Sequence, residues 1–482
     1  MRAQALQRWR SEMLQAYGKN SKLGAQKTRL FVSLTENPAQ KPTLELWTWG
    51  RGEAGQLGLG KESTERSPSL LISLPQKIRL APMPGVLNSV EILSSSPVNS
   101  EIPVKLGQSQ SLEVESAIRK ATVVRRDSGE TDSTSGEAFE EVGISCGLFH
   151  SCFWKNGKLW LWGKGDGGRL GTGSEVSLYS PHLSPFPSRV KSVALGGLHS
   201  AAVTEDGYVY TFGFGGFGAL GHGSYEKALS PKLVDGSSVG MKDIVHIACG
   251  GAHTAAVSAS GHVYTWGRDE GEGRLGYIPG PEYEDGTCVP LQVRGISDPI
   301  AAVACGGFFT MALTPGGQLW SWGGNSNYEL GIGDRRPSWR PRMVPEVENT
   351  RLIQVACGGY HSAAITEDGE VLTWGHGGHG QLGHGDLANV KAPKVVKILE
   401  GQRAVSVACG GAWTTAVTDS GKLYTWGKNR DCQLGVSGLM DTEMLPILVE
   451  LDAEPNESPE SSRLAIAVAA GAHHGMSLVL RI

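Results

Sequence analysis

The sequence predicts an all-β protein, a seven-bladed β-propeller in which the N- and C-terminal strands close one blade. Three observations predict it. A short aromatic strand ending in Trp-Gly or Phe-Gly occurs seven times: LWTWG at 46–50, LWLWG at 159–163, VYTFG at 209–213, VYTWG at 263–267, LWSWG at 319–323, VLTWG at 371–375 and LYTWG at 423–427. A second motif, built on Ala-Cys-Gly-Gly-x-His, alternates with it seven times, its Cys position falling at Cys146, Leu195, Cys249, Cys305, Cys357, Cys409 and Ala469. The two series are out of phase at the ends. The chain enters on a Trp-Gly strand with no Cys-Gly-Gly strand before it, and it leaves on an Ala-Gly-Ala-His strand with no Trp-Gly after it. Joining those ends completes the seventh blade and hides two sheet edges that would otherwise invite aggregation.

The elements can be justified in chain order. In the first 20 residues, Leu6, Trp9, Met13 and Tyr17 share one side of a helix, while Arg2, Arg8 and Arg10 lie mainly elsewhere. A basic, acid-poor amphipathic helix followed by Lys, Ser and Arg is the composition of an organellar transit peptide. Arg29 to Ser33, Arg-Leu-Phe-Val-Ser, resembles an arginine-anchored mitochondrial processing site. Residues 1–40 are therefore expected to be a mitochondrial transit peptide and linker leading to the matrix, and residues 41–482 the propeller. From Trp-Gly to the next Cys position the chain normally takes 32–42 residues, but from Gly50 to Cys146 it takes 96. The excess predicts an insertion at about 82–141, rich in Ser and Glu and poor in aromatics, hence a disordered loop.

Within each repeat, T-x-D/S-G segments such as Thr204–Gly207 join two apolar strands, which reads as a β-hairpin. A glycine turn ending in Leu-Gly follows each Trp-Gly, then a polar stretch and usually a proline. Each unit is a sheet of about four strands, too small to bury its own faces. Stacking the units around an axis buries them.

Composition narrows the function. The 67 glycines are about twice the usual share of roughly 7 %. The formal charge is −4, but residues 1–31 hold seven Lys and Arg against one Glu, so the remainder carries 37 basic and 47 acidic residues. Such an acidic body is a poor direct partner for nucleic acid, whose affinity comes largely from Lys and Arg. No apolar stretch of about 20 residues could span a bilayer, and the eight cysteines read as reduced.

Three stretches imitate sites. GHGGHGQLGHG at 375–385 places His376, His379 and His384 among glycines, but GKGDGGRLGTG and GFGGFGALGHG share its frame with other residues in the histidine slots. The glycines therefore belong to the fold, and no metal or cofactor site is expected. GFGGFG is followed by no helix that could receive a pyrophosphate, and Gly55–Lys61 is followed by Glu62 where a phosphate loop needs Ser or Thr. His150, His199, His253, His361 and His473 share one slot with Phe309 and Trp413, which points to imidazoles bonded to neighbouring backbone rather than to acid–base chemistry. No catalytic residues are expected.

L-x-x-W-G, A-C-G-G-x-H-[ST]-A, the G-Q-L-G turns and the period of 50–56 residues resemble the regulator of chromosome condensation family over about 45–80 and 142–481. The resemblance implies a seven-bladed propeller and three functional branches. The plant UV-B photoreceptor branch carries G-W-R-H-T, and this chain has neither its tryptophans nor its arginines at those positions. The founding branch exchanges guanine nucleotide on a small GTPase. The acidic loop 268–288, with Glu270, Glu272, Glu282, Glu284 and Asp285, stands out as a candidate partner contact but matches no wedge hairpin. The organellar branch implies a monomeric, non-catalytic scaffold whose partners are RNA-processing proteins. That branch fits the transit-like start and acidic body, and nucleotide exchange is the alternative.

Overall fold

The computed structural model describes residues 43–74, 78–80, 140–277, 285–451 and 462–481. The expected transit region and nearly all of the expected insertion lie outside them. Seven four-stranded antiparallel blades form the fold, one of them extended by a fifth strand. Blade one takes Arg463–Ala470 and His474–Arg481 from the C-terminus and Thr43–Gly50 and Glu65–Leu74 from the N-terminus. Thr43–Gly50 pairs with His474–Arg481 over its full length, from Thr43 opposite Arg481 to Gly50 opposite His474. The closure expected from the phase of the repeats is thus present.

Blades two to seven follow in order, each starting on an innermost strand: Glu140–Cys146, Val190–Leu195, Ile244–Cys249, Ala302–Cys305, Leu352–Cys357 and Ala404–Cys409. Each innermost strand touches the next, and Ala404–Cys409 returns through Arg463–Ala470 to Glu140–Cys146, so the ring is closed. Glu140 and Glu141 therefore belong to blade two. Before them, Ile78–Leu80 adds a short parallel strand beside Glu140, a pairing that the repeat pattern gave no reason to expect.

Alternation dictates where the core lies. The faces of each blade are apolar because both meet a neighbour, and the buried clusters duly combine adjacent blades. One joins Trp322 of blade five with Ala255, Val257 and Val263 of blade four. Another joins Trp426 of blade seven with Ile353, Ala363 and Ile365 of blade six. Each buried indole removes roughly 150–250 Å² from water, about 4–6 kcal/mol before entropic costs. The outermost strands carry the prolines: Pro68, Pro181, Pro231, Pro290, Pro341, Pro393 and Pro446, one in each blade. Proline donates no hydrogen bond, so these exposed edges are poor templates for pairing with another chain.

The glycine of Trp-Gly is required by geometry. In blade four Gly267 has φ +118°, and a Cβ there would lie 2.5 Å from the Ala252 carbonyl oxygen and 2.6 Å from the His253 Cα. Gly267→Ala is expected to cost about 3 kcal/mol, read as a lower urea midpoint with unchanged slope.

Candidate partner-binding face

The Cys-Gly-Gly-x-His loops and the glycine turns after Trp-Gly emerge on the same face of the ring. Beneath that face, one junction recurs at the blade interfaces. His253 Nε2 lies 2.9 Å from the Thr310 hydroxyl of the next blade, and that hydroxyl donates to the Arg274 carbonyl at 2.8 Å. The Trp322 indole donates to the same carbonyl at 3.1 Å. His150–Ser200, His199–Thr254, His361–Thr414 and His474–Ser151 repeat the first contact at 2.7–2.9 Å. Because each hydroxyl gives its proton to a carbonyl, it accepts one from the imidazole, which fixes a neutral ring protonated at Nε2. Burial agrees: it holds His199 down to about 4 and His361 and His474 down to about 3, and pushes His150 and His253 well below the usual range.

Two sequence expectations are corrected. The slot histidines bond to a hydroxyl of the next blade, not to neighbouring backbone. In the last repeat the slot belongs to His474, not His473, because Gly471, three residues before His474, is the glycine that meets its ring; the Cys position there is Ala470. Counting back from the second of the paired histidines, rather than the first, would have found this register. Phe309 and Trp413 fill the slot in blades five and seven, and Trp413 instead donates to the Gly471 carbonyl at 3.0 Å. The thiols of the Cys position are inert packing groups: burial pushes Cys249 up to about 12, and all eight cysteines are free. Among the described residues, no group of three His, Cys, Asp or Glu is placed to hold a metal ion.

The residue before each slot rims the mouth of the ring: Tyr360 is exposed, Phe149, Leu198, Phe308, Ala412 and His473 are half-buried, and Ala252 is buried. Phe308 stacks on Tyr360 with centroids 5.3 Å apart, and Phe149 stacks on His473 at 5.8 Å. Tyr360 meets His376 at 6.5 Å, and His376 meets His379 at 5.8 Å. Buried Gln381 holds both histidines: its amide donates to His376 Nδ1 at 3.0 Å, and its carbonyl oxygen accepts the His379 backbone N–H at 2.9 Å. His384 turns away and meets the Thr373 hydroxyl at 3.1 Å, as His222 meets Thr211 at 2.9 Å in blade three.

The acidic loop has a local task. Arg274 is buried, with its guanidinium 4.7 Å from the Phe308 ring, and Glu270 and Glu272 approach it at 3.1 and 3.9 Å. Glu270 also pairs with Arg268. Asp269 is buried and accepts backbone N–H groups of Gly273 and Leu275, while burial holds its carboxyl and that of Glu272 above the usual range. Asp285 is exposed at the far end of the loop. Glu282 and Glu284 lie outside the described residues. Two of the five expected contact residues are therefore committed to a buried arginine. On this face the sequence reading passed over Gln381, the buried side chain that holds His376 and His379.

A closed ring of seven blades, joined through histidine, hydroxyl, carbonyl and indole, defines a repeat propeller of the regulator of chromosome condensation type. The chain belongs to the RCC1-like domain family, whose model matches residues 105–477, and a regulator of chromosome condensation repeat matches residues 45–82. It is 45 % identical over 447 residues to "RCC1 domain-containing protein RUG3, mitochondrial" of Arabidopsis thaliana, covering 91 % of this chain and 89 % of the relative. Human WBSCR16 shares the fold, with a TM-score of 0.64 and 21 % identity, covering 91 % of this chain and 99 % of that one. So does yeast RCC1 (Prp20), solved bound to Kap60, with a TM-score of 0.67 and 19 % identity, covering 96 % of this chain and 94 % of that one.

Proposed function

We propose that the chain is a non-catalytic interaction scaffold of the mitochondrial matrix that supports organellar RNA processing, in particular transcript splicing, and through it respiratory-complex biogenesis. One observation carries the non-catalytic part. The slot histidines are buried and neutral and burial keeps the Cys-position thiols protonated, while the loop face presents aromatic and charged side chains on rigid turns. Such a face suits the docking of other proteins. The identity with a mitochondrial plant relative supports the location, as does the basic, acid-poor start of the sequence. The acidic body favours reaching RNA through protein partners, with Glu270, Glu272, Glu282, Glu284 and Asp285 as one contact segment.

Two measurements test this. Residues 1–40 fused to a fluorescent reporter should enter mitochondria; a cytosolic reporter overturns the location. The purified chain should capture RNA-processing proteins from mitochondrial extract without accelerating release of labelled GDP from small GTPases. Accelerated release would replace the scaffold with a nucleotide exchange factor.

A further inference from the structure

Three blades neutralise the cation that follows Trp-Gly with an acid two residues later. Arg51 pairs with Glu53, Lys164 with Asp166 at 2.7 Å, and Arg268 with Glu270. Blades three and five carry no cation there, with Phe214 and Gly324, whereas blade six carries a histidine and blade seven a lysine with no acid two residues later. His376 is followed by Gly378, and Lys428 by Arg430, so the neutralising acid is replaced first by nothing and then by a second cation. Gly427, beside Lys428, packs against the Cα of Gln381, and the protonation of His379 is depressed first by burial and then by the nearby charges of Lys428 and Arg430. The two loops therefore bring His379, Lys428 and Arg430 together. Among the described residues Lys428 has no carboxylate partner. Arg430 meets, among the described residues, Asp441 at 3.3 Å, a pair in which both side chains are more than two-thirds exposed and which contributes little. Asp431 is taken by His473 at 2.9 Å and by Arg51 at 3.6 Å.

We infer that this sector is a docking site for an acidic segment of a partner protein, read by Lys428, Arg430 and His379 beside the exposed ring of Tyr360. The site is built rather than accidental, because buried Gln381 fixes both histidines and Phe308 backs the tyrosine. Tyr360 is 44 % exposed and offers a place for one apolar side chain next to the carboxylates. The occupant is a protein segment and not RNA because the cationic area is short. An RNA strand would run on past it to Asp386 and Asp441, both exposed, over a body with ten more acids than bases. A few carboxylates fit between those acids.

This inference rests on the scaffold reading and names the chemistry of one partner contact. The test uses the full chain at neutral pH and low salt. The probe is a fluorescein-labelled peptide with four glutamates around one phenylalanine, compared with a labelled oligouridine of similar length. The peptide should bind saturably, and Lys428→Glu with Arg430→Glu should weaken it about tenfold or more. Lys158→Glu, an exposed cation on a hairpin turn of the opposite face, should leave binding unchanged, and all variants should melt like the parent. Tyr360→Ala should weaken the peptide by a smaller factor. Absence of saturable peptide binding overturns the inference, as does binding indifferent to the double reversal. Tighter binding of oligouridine through the same residues also overturns it. None of these outcomes bears on import or GDP release, so the scaffold reading stands or falls separately.

Discussion

Acidification from pH 7.5 to 5.5 is expected to remove at least about 4 kcal/mol from the stability of the ring, a large part of a typical domain's total. The cause is the set of slot histidines, His150, His199, His253, His361 and His474, all buried and neutral. In the unfolded chain each takes up a proton near pH 6.5. In the folded ring burial holds His199 down to about 4 and His361 and His474 down to about 3, so none is protonated above pH 5. Between those limits the unfolded state binds more protons, and stability falls as pH falls, by about 1.4 kcal/mol per histidine for each unit below 6.5. Asp269, Glu329 and Asp419, whose carboxyls burial raises, act in the opposite sense, but closer to the ordinary carboxyl range. Urea midpoints taken across this range give the slope. His253→Phe should reduce the share carried by the slot histidines by about one-fifth, since blade five already accepts Phe309 in the same slot. His222 and His384, which burial holds down to about 4, add to the slope in the same sense. A pH-independent midpoint would mean that the imidazoles remain solvated or already protonated.

The same junction explains how much was legible in the sequence. Trp-Gly, Leu-Gly and His-[ST] each recur, so blade number, closure and the tolerance for Phe309 and Trp413 follow from self-comparison. What recurrence could not supply is the partner of each motif. Thr310, Arg274 and Trp322 meet at one carbonyl although they lie on two blades, and no single repeat contains all three. The register slip at His473 has a similar origin: two adjacent histidines satisfy the motif equally well until Gly471 is seen against the His474 ring. In the candidate face, the i, i+2 charge pairing of blades one, two and four was present in the sequence. Its loss in blades six and seven carries meaning only once those two loops are neighbours, with Gly427 against Gln381. Arg274 illustrates the opposite case. A run of acids reads as a solvated contact loop, whereas its burial beneath Phe308 shows Glu270 and Glu272 holding a cation inside the fold.

Closure of blade one depends on the burial of a charge: Glu370 of blade six holds the slot that Glu45 holds here, but is exposed. Glu45 is fully buried in Thr43–Gly50, and its carboxylate accepts the Trp47 indole N–H and the Arg463 Nε–H, both at 2.9 Å. Arg481 stands 3.4 Å from its other oxygen, and the Arg463 guanidinium lies 5.0 Å from the Trp47 ring. Strand pairing alone would hold the two ends of the chain together, but the buried arginine makes the N-terminal strand a condition for satisfying the C-terminal one. Removing one member of a buried ion pair leaves the other desolvated and uncompensated, which typically costs about 3–5 kcal/mol. Glu45→Gln is therefore expected to lower stability by that amount while preserving shape. Amide exchange should rise first in Thr43–Gly50 and His474–Arg481, with blades three to five unaffected until global unfolding. Glu45→Leu combined with Arg463→Leu should recover much of the loss, because apolar groups fill the site without stranding a charge. If Glu45→Gln leaves both the midpoint and the exchange of these strands unchanged, backbone pairing suffices to close the ring and the buried charge is incidental to it.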